Sequence, residues 1–127
     1  MPETPEGAEV REFHGNCRER LAEELERLLR EEKLPLSDIA VLGAHSMEHT
    51  CIGSKGVVGR FRMVKNRVAR VEKREVSYYT FMKFKGCEAK VVILLDVDIA
   101  EARWQDRRSF YVAMNRAVHQ LIILHRY

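Results

Sequence analysis

Residues 79–98, YTFMKFKGCEAKVVILLDVD, decide the fold that this sequence predicts. The stretch contains a continuous apolar run, Val91 to Leu95. A run this short and this rich in β-branched residues is typical of a strand that is buried on both faces, as in a parallel sheet. A cation, a residue without Cβ and a carboxylate precede it, at Lys85, Gly86 and Glu88. The sequence therefore predicts a central buried strand with polar residues at its start.

Two further apolar runs have the same character, one on each side of the central strand in the chain. Residues 39–42 read IAVL and are followed by a glycine, and residues 121–124 read LIIL. Both are interpreted as buried strands. Residues 9–14 are a candidate short strand, whereas the basic, β-branched stretch 57–76 fits strands or a loop equally well. The sequence thus predicts at least three buried strands.

Helical periodicity occupies two of the segments between these strands. The first helix follows Asn16, a candidate N-cap with Glu19 in the capping-box position, and Pro35 is expected to stop it. Its charged residues are interpreted as a solvated face. The second follows Asp106, another candidate cap, and includes residues 110–117. Strands that alternate with helices predict a parallel α/β sheet with right-handed crossovers.

Two short segments carry a family resemblance. Residues 80–88 read TFMKFKGCE, and residues 110–117 read FYVAMNRA. The first resembles motif V of the UvrD/Rep-type superfamily 1 DNA helicases, in which a Thr, a hydrophobic residue, usually a His and two variable residues precede Lys-Gly-Leu-Glu. The second resembles motif VI of the same family, typically Tyr-Val-Ala-hydrophobic-Thr-Arg-Ala. The two motifs occur in the family's order, each beside an apolar strand, so together they are more specific than either alone.

The resemblance implies an α/β, three-layer RecA-like fold of the P-loop NTPase type with a mainly parallel sheet. Residues 9–127 are then the second RecA-like domain, a C-terminal fragment of a larger helicase, and residues 1–8 are a flexible leader. The chain lacks its own P-loop, since the GSKG at residues 53–56 does not have the GxxxxGK[ST] spacing. Because such helicases bind ATP between two RecA-like domains, an N-terminal helicase domain of the parent chain is the implied partner. This fragment alone is expected to be inactive.

The resemblance assigns contacts with ATP to three residues. Arg116 matches the motif VI Arg and is the implied catalytic residue, because a guanidinium binds two phosphate oxygens and stabilises charge as the γ-phosphoryl group leaves. Glu88 matches the motif V acid that hydrogen-bonds the ribose, and Gly86 allows the backbone to approach the nucleotide. Arg116 precedes a buried strand, so we expect it at the sheet edge where nucleotides bind in α/β folds. The implied cofactors are ATP and Mg²⁺, bound mainly by the first motor domain.

Single-stranded or duplex DNA is the second implied partner. Thr80 matches the family Thr that contacts the DNA backbone, and Lys83 and Lys85 are expected to add phosphate contacts that read no sequence. The charge distribution agrees with this role. Residues 55–90 contain 11 Lys and Arg against 3 Asp and Glu, a local charge of +8, whereas the rest of the chain carries −5. A basic segment of this kind favours a polyanionic partner.

Two positions depart from the family pattern and keep other functions open. Residues 38–42 (DIAVL) resemble the motif IV region, where an Arg two residues after the Leu usually reaches the terminal phosphate. Ala44 occupies that position here, and Met82 replaces the usual His of motif V. These departures favour an alternative, a non-catalytic nucleic-acid-binding or regulatory module derived from a helicase domain. An unrelated small α/β domain of flavodoxin-like or response-regulator shape also stays open.

Composition excludes several other classes. No apolar run approaches the roughly 20 residues of a membrane span, and the acidic N-terminus does not resemble a signal peptide. A cytoplasmic protein with no membrane partner is therefore expected. The three cysteines are odd in number and have no CxxC spacing, so a disulfide framework is not expected.

No metal site is predicted, although two features invite one. His45, Glu48, His49 and Cys51 cluster in the sequence, but no second pair of ligands occurs elsewhere at a comparable spacing. The cluster is interpreted as a polar loop or short helix. Asp96, which closes the central strand, is interpreted as a strand-end carboxylate without a metal of its own.

Overall fold

The computed structural model describes residues 9–65, 67–84, 87–97 and 117–125. Within them the chain forms one α-helix, seven strands and three short 3₁₀ turns, at residues 36–38, 47–49 and 71–73. The helix and strands are β1 (Glu9–His14), α1 (Cys17–Arg30), β2 (Ile39–Gly43), β3 (Val57–Val58), β4 (Phe61–Val64), β5 (Glu75–Thr80), β6 (Ala89–Val97) and β7 (Ala117–His125).

The seven strands form one sheet in the order β1-β7-β6-β2-β5-β4-β3. Every neighbouring pair is parallel except β3 and β4. The ends of the six parallel strands therefore define two edges of the sheet. We call the edge where these strands end the carboxyl edge, and the edge where they begin the amino edge. The predicted α/β fold with a mainly parallel sheet is confirmed.

The predicted buried strands are all present. They correspond to β2, β6 and β7, which lie side by side in the middle of the sheet. Each extends beyond its apolar run, and β6 covers nine residues where five were apolar enough to predict. The candidate strand at residues 9–14 is β1. The ambiguous stretch 57–76 contains β3, β4 and the start of β5.

Alternating side chains of the central strands fill two separate cores. Val91, Ile93 and Leu95 of β6 belong to the cluster that packs against α1. Val92 and Leu94 belong to a second cluster on the opposite face, together with residues of β2 and β7. All five side chains are at most 1% exposed. Because strand side chains alternate between faces, burial of the whole run requires cover on both sides of the sheet.

The helix α1 packs on one face of the sheet through a stripe of leucines. Leu21, Leu25 and Leu28 are fully buried, as the helical spacing predicted. The helix begins after Asn16, but the predicted cap is wrong in detail. Asn16 has a φ of 50° and makes no side-chain cap hydrogen bond. It turns the chain from β1 into the helix, so its side chain is not oriented as an N-cap requires. The helix ends at Arg30, before Pro35.

One charged residue of α1 is not solvated, contrary to the prediction. Glu24 is only 4% exposed. It accepts hydrogen bonds from Arg11 of β1 at 2.7 Å and from Arg27 at 3.1 Å. Arg27 in turn donates to Gln120 of β7 at 2.8 Å. This network joins the helix to the two strands beneath it, and the two guanidinium groups compensate the buried carboxylate.

The second predicted helix, residues 110–117 with its cap Asp106, lies outside the described residues except at its last position. Ala117 is the first residue of β7 and pairs with Ala89 of β6. The prediction of helix at Ala117 is therefore wrong, because this residue is the start of the strand ladder. The predicted leader, residues 1–8, also lies outside the described residues. No helix among the described residues is long and apolar enough to cross a membrane.

The packing of α1 is tested by Leu25→Ala. This change should lower the free energy of unfolding by about 2–5 kcal/mol, because it removes buried methyl groups and leaves a cavity against the sheet. Glu23→Ala on the exposed face of the same helix is the matched control and should stay within about 0.5 kcal/mol of the parent. Urea denaturation followed by circular dichroism measures both. Equal effects of the two changes would contradict the described orientation of α1.

Candidate functional site

Thr80, the predicted DNA contact, is the last residue of β5 and lies at the carboxyl edge. It pairs with Gly43 at the end of β2 and is half-buried. Its hydroxyl oxygen accepts a hydrogen bond from the backbone N–H of Lys83 at 3.3 Å, and its carbonyl accepts one from Phe84 at 3.1 Å. The turn after β5 therefore starts on Thr80. A hydroxyl that accepts in this way still carries a proton that it can donate to a phosphate oxygen.

The neighbouring loop, which follows β2, is held by Tyr78. The buried Tyr78 hydroxyl donates a hydrogen bond to the carbonyl of His45. A Cβ on Gly43 would collide with that hydroxyl, so the end of β2 requires glycine. Burial raises the pKa of Tyr78, so the hydroxyl keeps its proton at neutral pH and remains a donor. Two residues of β5 thus position the neighbouring segments: Tyr78 holds the loop after β2, and Thr80 holds the turn after β5.

Both positions that depart from the family pattern are exposed at this edge. Ala44 directly follows β2. Met82 is 68% exposed in the turn after β5. His45, Glu48 and His49 do not gather around Cys51 as one set of metal ligands among the described residues. Glu48 pairs instead with Lys65 at 3.5 Å.

A cleft of about 740 Å³ adjoins Thr80. Its walls come from β5 and from the segments that follow β2, β4 and β5. They include three cations, a threonine at the strand end, and one buried and one half-buried tyrosine, namely Lys65, Arg67, Lys83, Thr80, Tyr78 and Tyr79. Positive charge next to an aromatic surface is the combination that binds single-stranded nucleic acid in general.

The basic loop that forms one wall of the cleft is anchored by a buried carboxylate. Glu75, the first residue of β5, is 3% exposed. Its two oxygens accept hydrogen bonds from the guanidinium of Arg67 at 2.8 and 2.6 Å, and the backbone N–H of Arg70 donates to it at 2.8 Å. The hydrogen bonds from Arg67 lower the pKa of Glu75 to about 2. The carboxylate therefore fixes both ends of the segment 67–70.

The basic segment 55–90 is only partly available to a ligand. Four of its cations form ion pairs with acidic side chains, namely Arg60 with Glu26, Lys65 with Glu48, Arg67 with Glu75 and Lys90 with Asp38. Others are exposed and have no ion pair within 4.0 Å among the described residues, namely Lys55, Arg62, Arg70, Lys73 and Arg74. The number of cations available to bind phosphates is therefore smaller than the local charge of +8 suggests.

Glu88, one of the residues predicted to contact ATP, belongs to the opposite edge. Glu88 is exposed and directly precedes β6, so it lies at the amino edge. Ala117, the residue after Arg116, begins β7 and pairs with Ala89, the residue after Glu88. Arg116 itself lies outside the described residues, so its place at the nucleotide-binding edge of the sheet stays a prediction. The strand that follows Arg116 begins at the amino edge.

The structure brings together only part of the predicted site. Thr80 and Lys83 lie in one turn beside the cleft, whereas Glu88 lies at the other edge. Lys85, Gly86 and Arg116 lie outside the described residues, and their roles stay predictions. Sequence reasoning missed the contacts made by Glu75 and Tyr78. No local pattern indicates them, because their partners depend on how the loops fold back onto β5.

This topology is that of a mainly parallel α/β domain. Its fold resembles that of the C-terminal domain of a possible DNA helicase from Lactobacillus plantarum WCFS1, with a TM-score of 0.66 and 17% sequence identity. The alignment covers 94% of this chain and 74% of that chain. At this identity the likeness concerns the fold alone, and it confirms the predicted fold class.

The sequence match is more specific than the fold. Residues 78–124 match the family described as the UvrD-like helicase C-terminal domain. This segment includes both motifs quoted above, so the predicted resemblance to this family is confirmed. None of the curated proteins matches the chain. The family match decides against an unrelated flavodoxin-like or response-regulator domain.

The anchor of the basic loop is tested by Glu75→Gln. Because the folded-state pKa of Glu75 is depressed, its contribution to stability is present above the ordinary glutamate pKa of 4.5 and is lost as the pH falls toward about 2. The variant should therefore melt below the parent at pH 7, and the difference in melting temperature should shrink across that window.

The exposed Glu72→Gln, three residues away, is the matched control. It should follow the parent at every pH. Thermal unfolding between pH 7 and pH 2, followed by circular dichroism, measures all three proteins. A difference between Glu75→Gln and the parent that does not change with pH would contradict the ionised Arg67–Glu75 anchor.

Proposed function

We propose that this domain is the second motor domain of an ATP-dependent superfamily 1 DNA helicase, in which it completes the ATP site and contacts single-stranded DNA. The family match over residues 78–124 supports the helicase class. The observation that carries the more specific proposal is the cleft beside Thr80, with its cations and the ring of Tyr79. DNA and the N-terminal helicase domain of the parent chain are the proposed partners.

The cleft supplies the chemistry that a single strand requires. Lys83 offers an ammonium group to phosphates, Lys65 offers one when it exchanges its exposed ion pair with Glu48 for a phosphate, and the Thr80 hydroxyl offers a neutral donor at the strand end. Tyr79 is half-buried, its ring tilted against Phe84 with 5.2 Å between centroids, and it also lines the cleft. A base stacked on such a ring gains roughly 1–3 kcal/mol whatever its identity. We therefore propose binding that is independent of sequence.

The ATP contacts are proposed at the amino edge. The pairing of Ala89 with Ala117 supports a joint role of Glu88 and Arg116, because each immediately precedes one member of this pair. Consecutive Cα atoms are about 3.8 Å apart and neighbouring strands about 4.8 Å. The residues that directly follow Glu88 and Arg116 are therefore neighbours in the sheet. ATP and Mg²⁺ are the proposed cofactors, and the first motor domain holds the Mg²⁺.

This arrangement gives the domain two functional edges. A strand of DNA at the carboxyl edge and a nucleotide at the amino edge would be separated by the length of β5 and β6. In the proposed motor, hydrolysis at one edge is linked to DNA at the other through the sheet and through the turn after Thr80, which joins these two strands.

A second candidate is a nucleic-acid-binding or regulatory module without motor activity. The exposed Ala44 favours it, since this position offers no cation where the family usually has an Arg. Met82 favours it as well, because an exposed thioether cannot replace the hydrogen bonds of a His. The two candidates share the cleft and differ in the ATP site, so kinetics of the parent enzyme distinguish them.

The DNA proposal predicts that the combined change Lys83→Glu and Lys85→Glu abolishes most binding to a single-stranded oligonucleotide at low salt. Each lost phosphate contact should also reduce the dependence of log affinity on log salt by roughly 0.7. Fluorescence anisotropy with a labelled oligonucleotide, repeated at several salt concentrations, measures both quantities.

The matched control carries the same change of charge at the end of α1, in Arg30→Glu combined with Lys33→Glu. Its net charge equals that of the test variant, but neither residue lines the cleft. It should keep most of the affinity. If both double variants lose affinity equally, binding reflects net charge alone and the cleft is not the site.

The ATP proposal predicts that Arg116→Ala in the parent enzyme lowers kcat by about 10³–10⁵ and leaves KM for ATP nearly unchanged. The reason is that the guanidinium acts on charge that develops only in the transition state. Arg116→Lys should restore little, because an ammonium cannot bind two phosphate oxygens in one plane. Steady-state ATPase kinetics measure the effect, with circular dichroism to establish folding.

Arg30→Ala, at an exposed position of α1, is the control and should keep normal kinetics. A folded Arg116→Ala enzyme with near-normal kcat would show that Arg116 is not the catalytic residue. A folded parent enzyme that binds DNA but hydrolyses no ATP would favour the module without motor activity.

A further inference from the structure

A cluster of three potential metal ligands lies near the carboxyl edge, away from the cleft. The Sγ atoms of Cys17 and Cys51 are 3.2 Å apart. One carboxylate oxygen of Asp96 completes a group whose ligand atoms all lie within 4.8 Å of one another. Cys17 is 7% exposed, and the other two residues are half-buried. These residues are 34 and 45 positions apart in sequence, so no sequence motif announces the cluster.

Three different segments converge to form it. Cys17 is the first residue of α1, Asp96 lies near the end of β6, and Cys51 lies between β2 and β3. Arg18 of α1 donates to the carbonyl of Cys51 at 3.1 Å and to that of Ile52 at 2.6 Å. The helix thereby holds the segment that carries Cys51 against its own N-terminus.

The backbone at two of the three segments departs from ordinary geometry. Asp96 has a φ of 50° and lies at an irregularity in the pairing of β6 with β7. Asn16, directly before Cys17, also has a φ of 50°. A residue other than glycine in the left-handed region is strained and persists where the surroundings require it. Here the two turns direct a carboxylate and a thiol toward the same point.

In metal sites, hydrogen bonds from neighbouring groups hold the ligands in orientation, and the groups of this cluster have such hydrogen bonds. The backbone N–H of Cys51 donates to the Asp96 carboxylate at 2.7 Å, and the N–H of Asp96 lies 3.4 Å from the Cys17 sulfur. Cys17 also lies at a helix N-terminus, where the backbone dipoles favour negative charge. The hydrogen bond with Cys51 and burial nevertheless raise the pKa of Cys17, so this thiol gives up its proton as the metal binds.

We propose that Cys17, Cys51 and Asp96 bind a zinc ion. Two thiolates and a carboxylate are a ligand set that zinc accepts in tetrahedral geometry, with the fourth position left to water. On binding, both S–H bonds break, two Zn–S bonds form and the two protons pass to solvent. No electron is transferred. The ion would join the start of α1, the end of β6 and the loop after β2, the same loop whose other end lies beside Thr80.

The distance between the sulfurs favours a metal over a disulfide. Two thiolates on one tetrahedral zinc, each about 2.3 Å from the ion, are roughly 3.8 Å apart, whereas a disulfide requires about 2.05 Å. The observed 3.2 Å is closer to the first value.

The other cluster of this kind among the described residues is less suited to a metal. It consists of Glu12, His14 and His125. The two imidazole rings are stacked, with centroids 4.1 Å apart and planes only 2° from parallel. The nitrogen lone pairs lie in these planes and cannot converge on one ion. Glu12 already contacts a ring nitrogen of His125 at 2.8 Å.

The test is a Co²⁺ titration of the full chain, purified without a polyhistidine tag and kept reduced and free of metal. We expect one Co²⁺ per chain, with a thiolate-to-cobalt absorption band that Zn²⁺ abolishes by displacement. Cys17→Ser and Cys51→Ser should each weaken binding by more than the about 10- to 100-fold that outer contacts are worth. Asp96→Asn should weaken it too, while its amide oxygen can still accept the Cys51 N–H.

The exposed Cys87 provides the matched control. Cys87→Ser should leave both the stoichiometry and the band unchanged, and circular dichroism establishes that each variant is folded. Two results would overturn the proposal: no thiolate band in the parent protein, or a band that survives in the Cys17→Ser and Cys51→Ser combination. None of these measurements depends on helicase activity, so the zinc proposal stands or fails independently of the proposed function.

Discussion

The burial of β6 on both faces is the constraint on which the rest of this structure depends. Its apolar run, residues 91–95, lies between β7 and β2 and is at most 1% exposed. Side chains of alternating direction cannot all leave water unless both faces of the sheet are covered. The strand is also parallel to both neighbours, so its ends coincide with theirs. One buried strand therefore organises two cores and two edges.

The two edges separate residues that are neighbours in the sequence. Thr80 and Glu88 are eight positions apart, yet the first ends β5 at the carboxyl edge and the second precedes β6 at the amino edge. Parallel strands cannot be joined by a tight hairpin, so the chain must return across the sheet between them. A single short motif thereby supplies polar groups to both edges. In the proposed motor, that segment of the chain directly connects the residues that contact DNA to the residue that contacts the nucleotide.

Buried carboxylates have a structural role that the charge pattern concealed. Glu24 joins α1 to β1 through Arg11, and Glu75 holds the basic loop through Arg67. Both lie in segments whose charges look solvated in the sequence. Each is compensated by more than one donor, which is the condition for burying a charge. The same pairing reduces the number of cations that segment 55–90 can offer to DNA, so net charge alone is a poor guide to its binding surface.

The sequence by itself determined the central strands, the apolar stripe of α1 and the resemblance of segment 78–124 to a helicase family, because each depends on residues close together in the chain. Hydrophobic periodicity reports burial directly, and each motif consists of residues only a few positions apart. Only the tertiary structure decided the partners of Glu75, the edge at which β7 begins and the meeting of Cys17 with Cys51 and Asp96. These contacts join residues from separate segments. Their distances depend on strand order and register, which no local pattern encodes.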